Sequence, residues 1–330
     1  MVERSEESKE SVRVTTQIAA AEAYEEQARW HEALAVWRAL ASKDKSLRFV
    51  LSAALAAENG GLLEDAEQLF REAMARAPER AAGYIGLGVL LVNQRRLDEA
   101  RQMLECGVNL EEQPFAVTIL GVVQRWLGDV RAARATLRRS LELDPNDDEA
   151  HFSLGLALVE EEPLMAVEHF RRALELDPHL PHAHRELGDA LASLRRFDEA
   201  ETFLRQAVIE DPADAWAHAF LGHVLNIRDD WQSAKQEFLS AAEHKPEVGR
   251  FWSDLAGACA RLEQYADADR YYLKALSLAV ENAQVNALYG IFLKHVGQAE
   301  KARAYLRRAV SLDPSQTRAR QALDELGESR

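Results

Sequence analysis

Residues 181–214 read PHAHRELGDALASLRRFDEAETFLRQAVIEDPAD, and this stretch carries the pattern on which the chain is organised. Leu187, Gly188 and Leu191 mark one short helical stripe. Ala200, Leu204 and Ala207 mark a second, and Pro212 closes the unit. Working outward, the small residue of the first stripe returns at Ala21, Ala54, Gly88, Gly121, Gly155, Gly188, Gly222, Ala256 and Gly290, always after 33 or 34 residues. The alanine of the second stripe returns at Ala33, Ala66, Ala100, Ala133, Ala166, Ala200, Ala234, Ala268 and Ala302 with the same period. Two independent positions in phase mark a helical repeat array. Its nine units begin near residues 14, 47, 81, 114, 148, 181, 215, 249 and 283.

Each unit reads as two antiparallel helices, neither long enough to be stable alone in water. The Gly or Ala of the first helix and the Ala of the second let the two backbones approach. A larger side chain there would overpack the contact, at about 1–3 kcal/mol. Asp211-Pro212 ends the second helix, because proline cannot continue the ladder and restricts the residue before it. Asn59-Gly60-Gly61, Gly128 and Gly297 are expected to supply positive φ between helices.

The units resemble tetratricopeptide repeats, whose pattern is W-x2-L-G-x2-Y, then A-x3-F, then P. Unit six gives His184-x2-Leu187-Gly188-x2-Leu191, Ala200-x3-Leu204 and Pro212. Unit seven gives His218-x2-Leu221-Gly222-x2-Leu225, Ala234-x3-Phe238 and Pro246. Unit eight restores Trp252. The resemblance implies an all-α fold, a right-handed α-solenoid (superhelix) of tandem antiparallel helix pairs. The expected organisation is a polar N-terminal extension over 1–13, the nine-repeat solenoid over 14–315, and a capping helix with a short tail over 316–330. In the last segment Ala319, Ala322, Leu323 and Leu326 form a single apolar stripe. Unit five is short by one residue at Glu160-Glu161-Glu162-Pro163, which reads as a tightened turn rather than a disordered hinge.

Composition narrows the function. With 40 basic and 55 acidic residues the formal charge is −15, so nucleic acid and anionic membrane are not expected partners. Cys106 and Cys259 cannot make a disulfide framework, and residues 1–17 lack the apolar core of a signal peptide. These features lead to the expectation of a soluble, cytoplasmic protein. No cofactor or metal is expected. His179, His182 and His184 cluster, but His151, His184 and His218 share one repeat position and read as a packing ladder. Gly83, Gly86 and Gly88 follow no strand and lack a G-K-[ST] sequence, so they are not a phosphate loop. No region remains for a catalytic domain, and none of these motifs points to an enzyme.

The resemblance implies a concave surface lined by the first helices, at positions 2, 5, 6, 9, 12 and 13 of each unit. In units three to five those positions hold Ile85, Gly86, Val89, Phe115, Ile119, Val122, Phe152, Leu156 and Val159, and unit seven adds Trp216 and Phe220. Gly86 is expected to leave a hollow beside Ile85 and Val89. Phe115, Ile119, Phe152 and Leu156 are expected to form a shared apolar patch. Farther along the lining turns charged, with Arg185, Glu186, Asp189, Arg250, Asp254 and Arg261. Neither the Lys/Asn clamp of chaperone-binding members nor an asparagine ladder is present. The expectation is a non-catalytic adaptor or regulator that binds a protein or peptide segment, amphipathic in character, in this groove. The alternatives are a chaperone-like holder that masks a partner enzyme or secreted substrate, and an enzyme with an unrecognised site. Oligomeric state is not legible.

Overall fold

The computed structural model describes residues 2–44 and 46–327. Among them are nineteen α-helices and no strand. The chain divides into two compact units, Met1–Leu158 and Val159–Arg330. The first contains α1 (Val2–Glu26), α2 (Trp30–Lys43), α3 (Leu47–Asn59), α4 (Leu63–Arg76), α5 (Ala81–Asn93), α6 (Leu97–Leu110), α7 (Pro114–Trp126), α8 (Val130–Leu143) and α9 (Asp148–Leu158). The second contains α10 (Pro163–Leu176), α11 (Ala183–Ser193), α12 (Phe197–Glu210), α13 (Ala215–Ile227), α14 (Trp231–His244), α15 (Gly249–Arg261), α16 (Tyr265–Leu278), α17 (Ala283–His295), α18 (Ala299–Leu312) and α19 (Thr317–Glu325). Within each unit, successive helices pack as tandem antiparallel pairs. Odd-numbered helices up to α17 are the first helices of repeats. The N-terminal segment read as an extension continues α1 back to Val2, and residues 328–330 of the tail lie outside the described residues.

The helices end where local chemistry stops them. Asp144, Asp177, Asp211 and Asp313 stand before prolines, and each accepts a backbone N–H two residues on through its Oδ1. This Asx turn offers the chain an alternative to helix. Asp129, Asp214, Asp230 and Asn282 cap the following helices through their side-chain oxygens.

The repeat alanines of the second helices, Ala33 through Ala302, are all fully buried. Four residues on, the A-x3-F position holds Trp37, Phe70, Leu104, Leu137, Phe170, Leu204, Phe238, Tyr272 and Leu306, none more than 4% exposed. These large side chains lie across the repeat glycines. A Cβ on Gly188 would come 2.5 Å from Leu204 Cγ, and one on Gly222 would come 2.7 Å from Phe238 Cε1. The expected close approach is therefore real, and its partner is the A-x3-F side chain as well as backbone.

The turns inside the pairs hold a periodicity that composition hides. Positive φ occurs at Ala28, Gly61, Arg95, Gly128, Arg195, Asp229, Glu263 and Gly297, one left-handed residue per pair at the repeat spacing. Only some are glycine. Of the expected Asn59-Gly60-Gly61 turn, Gly60 is right-handed (φ −79) and Gly61 alone is left-handed. Unit five has no such residue. Glu162, before α10, has φ −131, and the division between the two compact units falls at Leu158/Val159 in this shortened connection.

Candidate functional site

The histidine position turns out to be a hydrogen-bonding post. His151 Nε2 lies 3.2 Å from the Pro145 carbonyl, and His218 Nε2 lies 3.0 Å from that of Pro212. Trp252 Nε1–H donates to Pro246 at 2.9 Å, and Asn286 Nδ2–H donates to the Val280 carbonyl at 3.0 Å. Each ties the fourth residue of a first helix to the carbonyl six residues earlier, at the end of the preceding repeat. The packing ladder read from the sequence is thus also a donor ladder at these four positions, whereas His184 faces Glu210 Oε2 at 2.9 Å instead. His218 goes further: its Nδ1 lies 2.6 Å from Glu237 Oε2. Both ring nitrogens face acceptors, an arrangement that favours the protonated ring. Glu237, then the Pro212 carbonyl, raise its pKa against the opposing effect of burial.

A second tie joins consecutive first helices. Arg185 Nη1 donates to Asp214 Oδ2 at 2.6 Å, while Asp214 Oδ1 caps α13 by accepting from Trp216 and Ala217. Thr118 and Asp147 repeat the geometry in the first unit, at 2.6 Å. Arg185 also pairs with Glu186 at 2.6 Å, and its side chain is 16% exposed. The expected free charge of Arg185 in a groove is corrected: it is spent inside the fold.

Several candidate apolar residues are corrected as well. Ile85 and Val122 are buried. Ile85 packs with Ala81 and Ala116, and its Cγ1 fills the space over Gly107. There is no hollow at Gly86, because the Phe70 ring occupies it and would lie 2.3 Å from an added Cβ. Val89 and Ile119 are half-buried, packed on neighbouring apolar clusters. Phe152, Leu156 and Val159 are half-buried, and Phe115 is exposed. In the second unit Trp216 meets Phe251 edge-on at 5.0 Å and packs against Ala215 and Ala241, so it sits between helices. Phe220 is half-buried beside it, with ring centroids 6.2 Å apart. Arg250 remains exposed.

Besides a cavity of about 360 Å³ lined by His179, His182, His184, Arg185 and Asp214, an open site lies in the second unit on the first helices α13, α15 and α17, with Arg318 of α19 also lining it. It is a groove of about 560 Å³. His223 and Asn226 come from α13, Asp254, Gly257 and Arg261 from α15, and Gln284, Leu288, Ile291 and His295 from α17. These are the lining positions that the resemblance implies, in units seven to nine rather than three to five. Asp254 Oδ2 lies 3.2 Å from His223 Nε2 and 3.7 Å from Arg250 Nε, yet it is buried and accepts no hydrogen bond. The floor is open at Gly257, where an added Cβ would meet only Tyr272 Oη, at 3.8 Å. Tyr272 is buried, which raises its hydroxyl pKa and keeps it a neutral donor. Sequence reasoning named Asp254 and Arg261 as lining and put Leu288 at lining position 6, but missed Gly257 and Ile291. The available signal was a glycine at position 9, the register of Val89 and Leu156, where the repeat itself asks for none.

Other chemistry is sparse. Cys259 is buried, which pushes its thiol pKa up, and Cys106 is exposed. Among the described residues no group of three His, Cys, Asp or Glu side chains is placed to hold a metal ion, and no helix is long and apolar enough to cross a membrane.

Comparison with known proteins gives consistent matches. Residues 61–113 and 160–224, and separately 121–162, match tetratricopeptide repeat families, and residues 250–316 match YpiA-like, C-terminal tetratricopeptide repeats. Among curated proteins the chain is 23% identical over 280 residues to the Protein CTR9 homolog of Arabidopsis thaliana, covering 81% of this chain and 26% of that protein. It is 29% identical over 122 residues to the Cell division cycle protein 16 homolog of Homo sapiens, covering 34% of this chain and 20% of that protein. The chain therefore spans about a quarter or less of these relatives. Among solved structures, Pseudomonas aeruginosa pilF aligns with a TM-score of 0.56 at 24% identity, covering 64% of this chain and 97% of that one. The APC/C hetero-tetramer Cut9–Hcn1 aligns at 0.57 and 18%, covering 94% and 55%. A tetratricopeptide repeat protein from Parabacteroides merdae aligns at 0.58 and 16%, covering 75% and 99%. At these identities the structures speak to fold alone.

Proposed function

This chain belongs to the tetratricopeptide repeat family, and on that premise we propose that it is a non-catalytic adaptor that holds a segment of a partner protein against its first helices. The observation that carries the reading is the groove on α13, α15 and α17, where Arg261, Gln284, His295 and Arg318 are exposed and Leu288 and Ile291 are half-buried. The polar contacts that stack the repeats, Arg185–Asp214 and the donor ladder, lie apart from its floor. A cleft that is half apolar and half polar suits an amphipathic segment better than a small substrate. The similarity to CTR9 and Cell division cycle protein 16 homologs agrees with a scaffold role. The residues offered for binding are now Gly257, Arg261, Leu288, Ile291, Arg250 and Arg318. Phe115 is kept as a second, separate contact on the first unit. We place the protein in the cytoplasm.

Crosslinking in the native host, followed by affinity purification and mass spectrometry, tests this reading. The expected result is a stoichiometric partner whose crosslinks fall on α13, α15 and α17. Leu288→Asp should abolish capture while helicity stays unchanged. Crosslinks confined to second helices, or turnover of a small molecule by the purified chain, would overturn it.

A further inference from the structure

We infer that the groove on α13, α15 and α17 takes an acidic amphipathic segment, its apolar side over Gly257 and its carboxylates against Arg261 and Arg318. The inference rests on the adaptor reading above and names the chemistry of the partner. Arg261 and Arg318 are exposed lining residues with no carboxylate partner among the described residues, in a chain whose net charge is −15. Most other arginines of the second unit are paired: Arg171 and Arg196 with Glu199, Arg185 with Asp214, Arg228 with Glu201, Arg270 with Asp267. Two unpaired guanidiniums facing the same groove therefore stand out against the rest of the surface.

The acid in the groove, Asp254, makes no ion pair with either arginine: it faces His223 at 3.2 Å and Arg250 at 3.7 Å, and its buried Oδ2 accepts no hydrogen bond. Arg250, Arg261 and Arg318 outnumber the nearby carboxylates Asp189 and Asp254, in a chain whose net charge is −15. Such a site attracts carboxylates and repels cationic segments. Guanidinium groups pair carboxylates in bidentate fashion, which adds orientation to attraction. The groove that the two arginines line has an apolar, recessed stretch of floor. Gly257 has no side chain, Leu288 and Ile291 border it half-buried, and Tyr272 Oη stands 3.8 Å from where a Cβ would be. A leucine-sized side chain seated there loses water contact on several sides, as anchor residues do. The carboxylates are those of side chains along the segment, so a free C-terminus is not needed.

The test uses the full chain and two fluorescein-labelled, C-terminally amidated 15-residue peptides with the same leucine face. One carries glutamate on its polar face and the other lysine. Anisotropy should show binding of the glutamate peptide, with at least a tenfold preference over the lysine peptide. Arg261→Glu/Arg318→Glu should reverse the preference. Arg261→Gln/Arg318→Gln should weaken the glutamate peptide without rescuing the other. Gly257→Leu should block it while circular dichroism is unchanged. Raising salt from 50 to 300 mM should weaken binding about fivefold or more, as screening requires. Equal binding of both peptides, binding of neither at 100 µM, or preference for the lysine peptide or an oligothymidylate would overturn the inference. So would concentration-dependent self-association abolished by the Arg→Glu pair. Those outcomes leave the adaptor reading standing if native crosslinks still fall on α13, α15 and α17, and that reading fails on its own if they do not.

Discussion

Asp214 is held from two directions: Arg185 Nη1 donates to its Oδ2 at 2.6 Å, and its Oδ1 accepts the backbone N–H groups of Trp216 and Ala217. One carboxylate thereby starts α13 and fastens it to α11. Its side chain is 8% exposed. Burial alone would raise its pKa, but Arg185 and the capping N–H groups outweigh that and hold the carboxyl below its ordinary value.

Asp214→Ala should therefore cost about 2 kcal/mol, combining a lost cap with an under-paired guanidinium. Asp214→Asn keeps an oxygen for the cap and should cost less. The folded pKa is depressed, so the stabilisation is present above the unfolded value of about 3.9 and lost as pH falls through the lower folded value. Hydrogen exchange of α13 amides reports this locally, which suits an array of repeats better than a single melting point. Unchanged protection in Asp214→Ala would contradict it.

His218 has the opposite sign. Glu237 and the Pro212 carbonyl raise its pKa. A raised folded value means the contribution is complete below about 6.5, the unfolded value, and is lost as pH rises through the folded one. Urea midpoints of the wild type relative to His218→Gln should converge as pH increases from 6 to 9. A constant difference across that range would argue for a neutral ring.

Glycine substitutions should separate packing from conformation. Gly188→Ala places a methyl 2.5 Å from Leu204 Cγ and should destabilise by about 1–3 kcal/mol. Gly257→Ala meets only Tyr272 Oη at 3.8 Å, and removing a mid-helix glycine should stabilise by about 0.5–1 kcal/mol. Chemical denaturation of both variants checks the contrast, and loss of stability in Gly257→Ala would show that the groove floor is closed.

The left-handed turn residues offer a stabilising change. Arg195 and Glu263 hold φ 61 and 56. Replacing either with glycine relieves roughly 1 kcal/mol of backbone strain, less the entropy that glycine loses. Thermal scans should show a small gain for Arg195→Gly and Glu263→Gly. Gly128→Val, at φ 83, should show a clear loss.

The repeat was legible in the sequence because it rests on local physics. A small residue is needed where two helices cross, an alanine where the second helix touches the first, and a proline where the ladder must stop. Those demands recur every 33 or 34 residues and leave the same letters behind, as at Gly188, Ala200 and Pro212. The register of the lining positions followed from the resemblance to tetratricopeptide repeats, once the period had fixed the units. Which of those positions stay open was not legible. Gly86 and Gly257 look alike in one dimension, yet the first lies under the ring of Phe70, sixteen residues before it, and the second faces only a distant hydroxyl. Arg185 and Arg261 are both arginines on first helices, but only Arg185 meets an aspartate, 29 residues on, that is also capping a helix. Occupancy of space and pairing of charge depend on side chains from neighbouring repeats. Periodicity places those side chains in register without saying which will reach across, and their conformations in the folded chain made that choice.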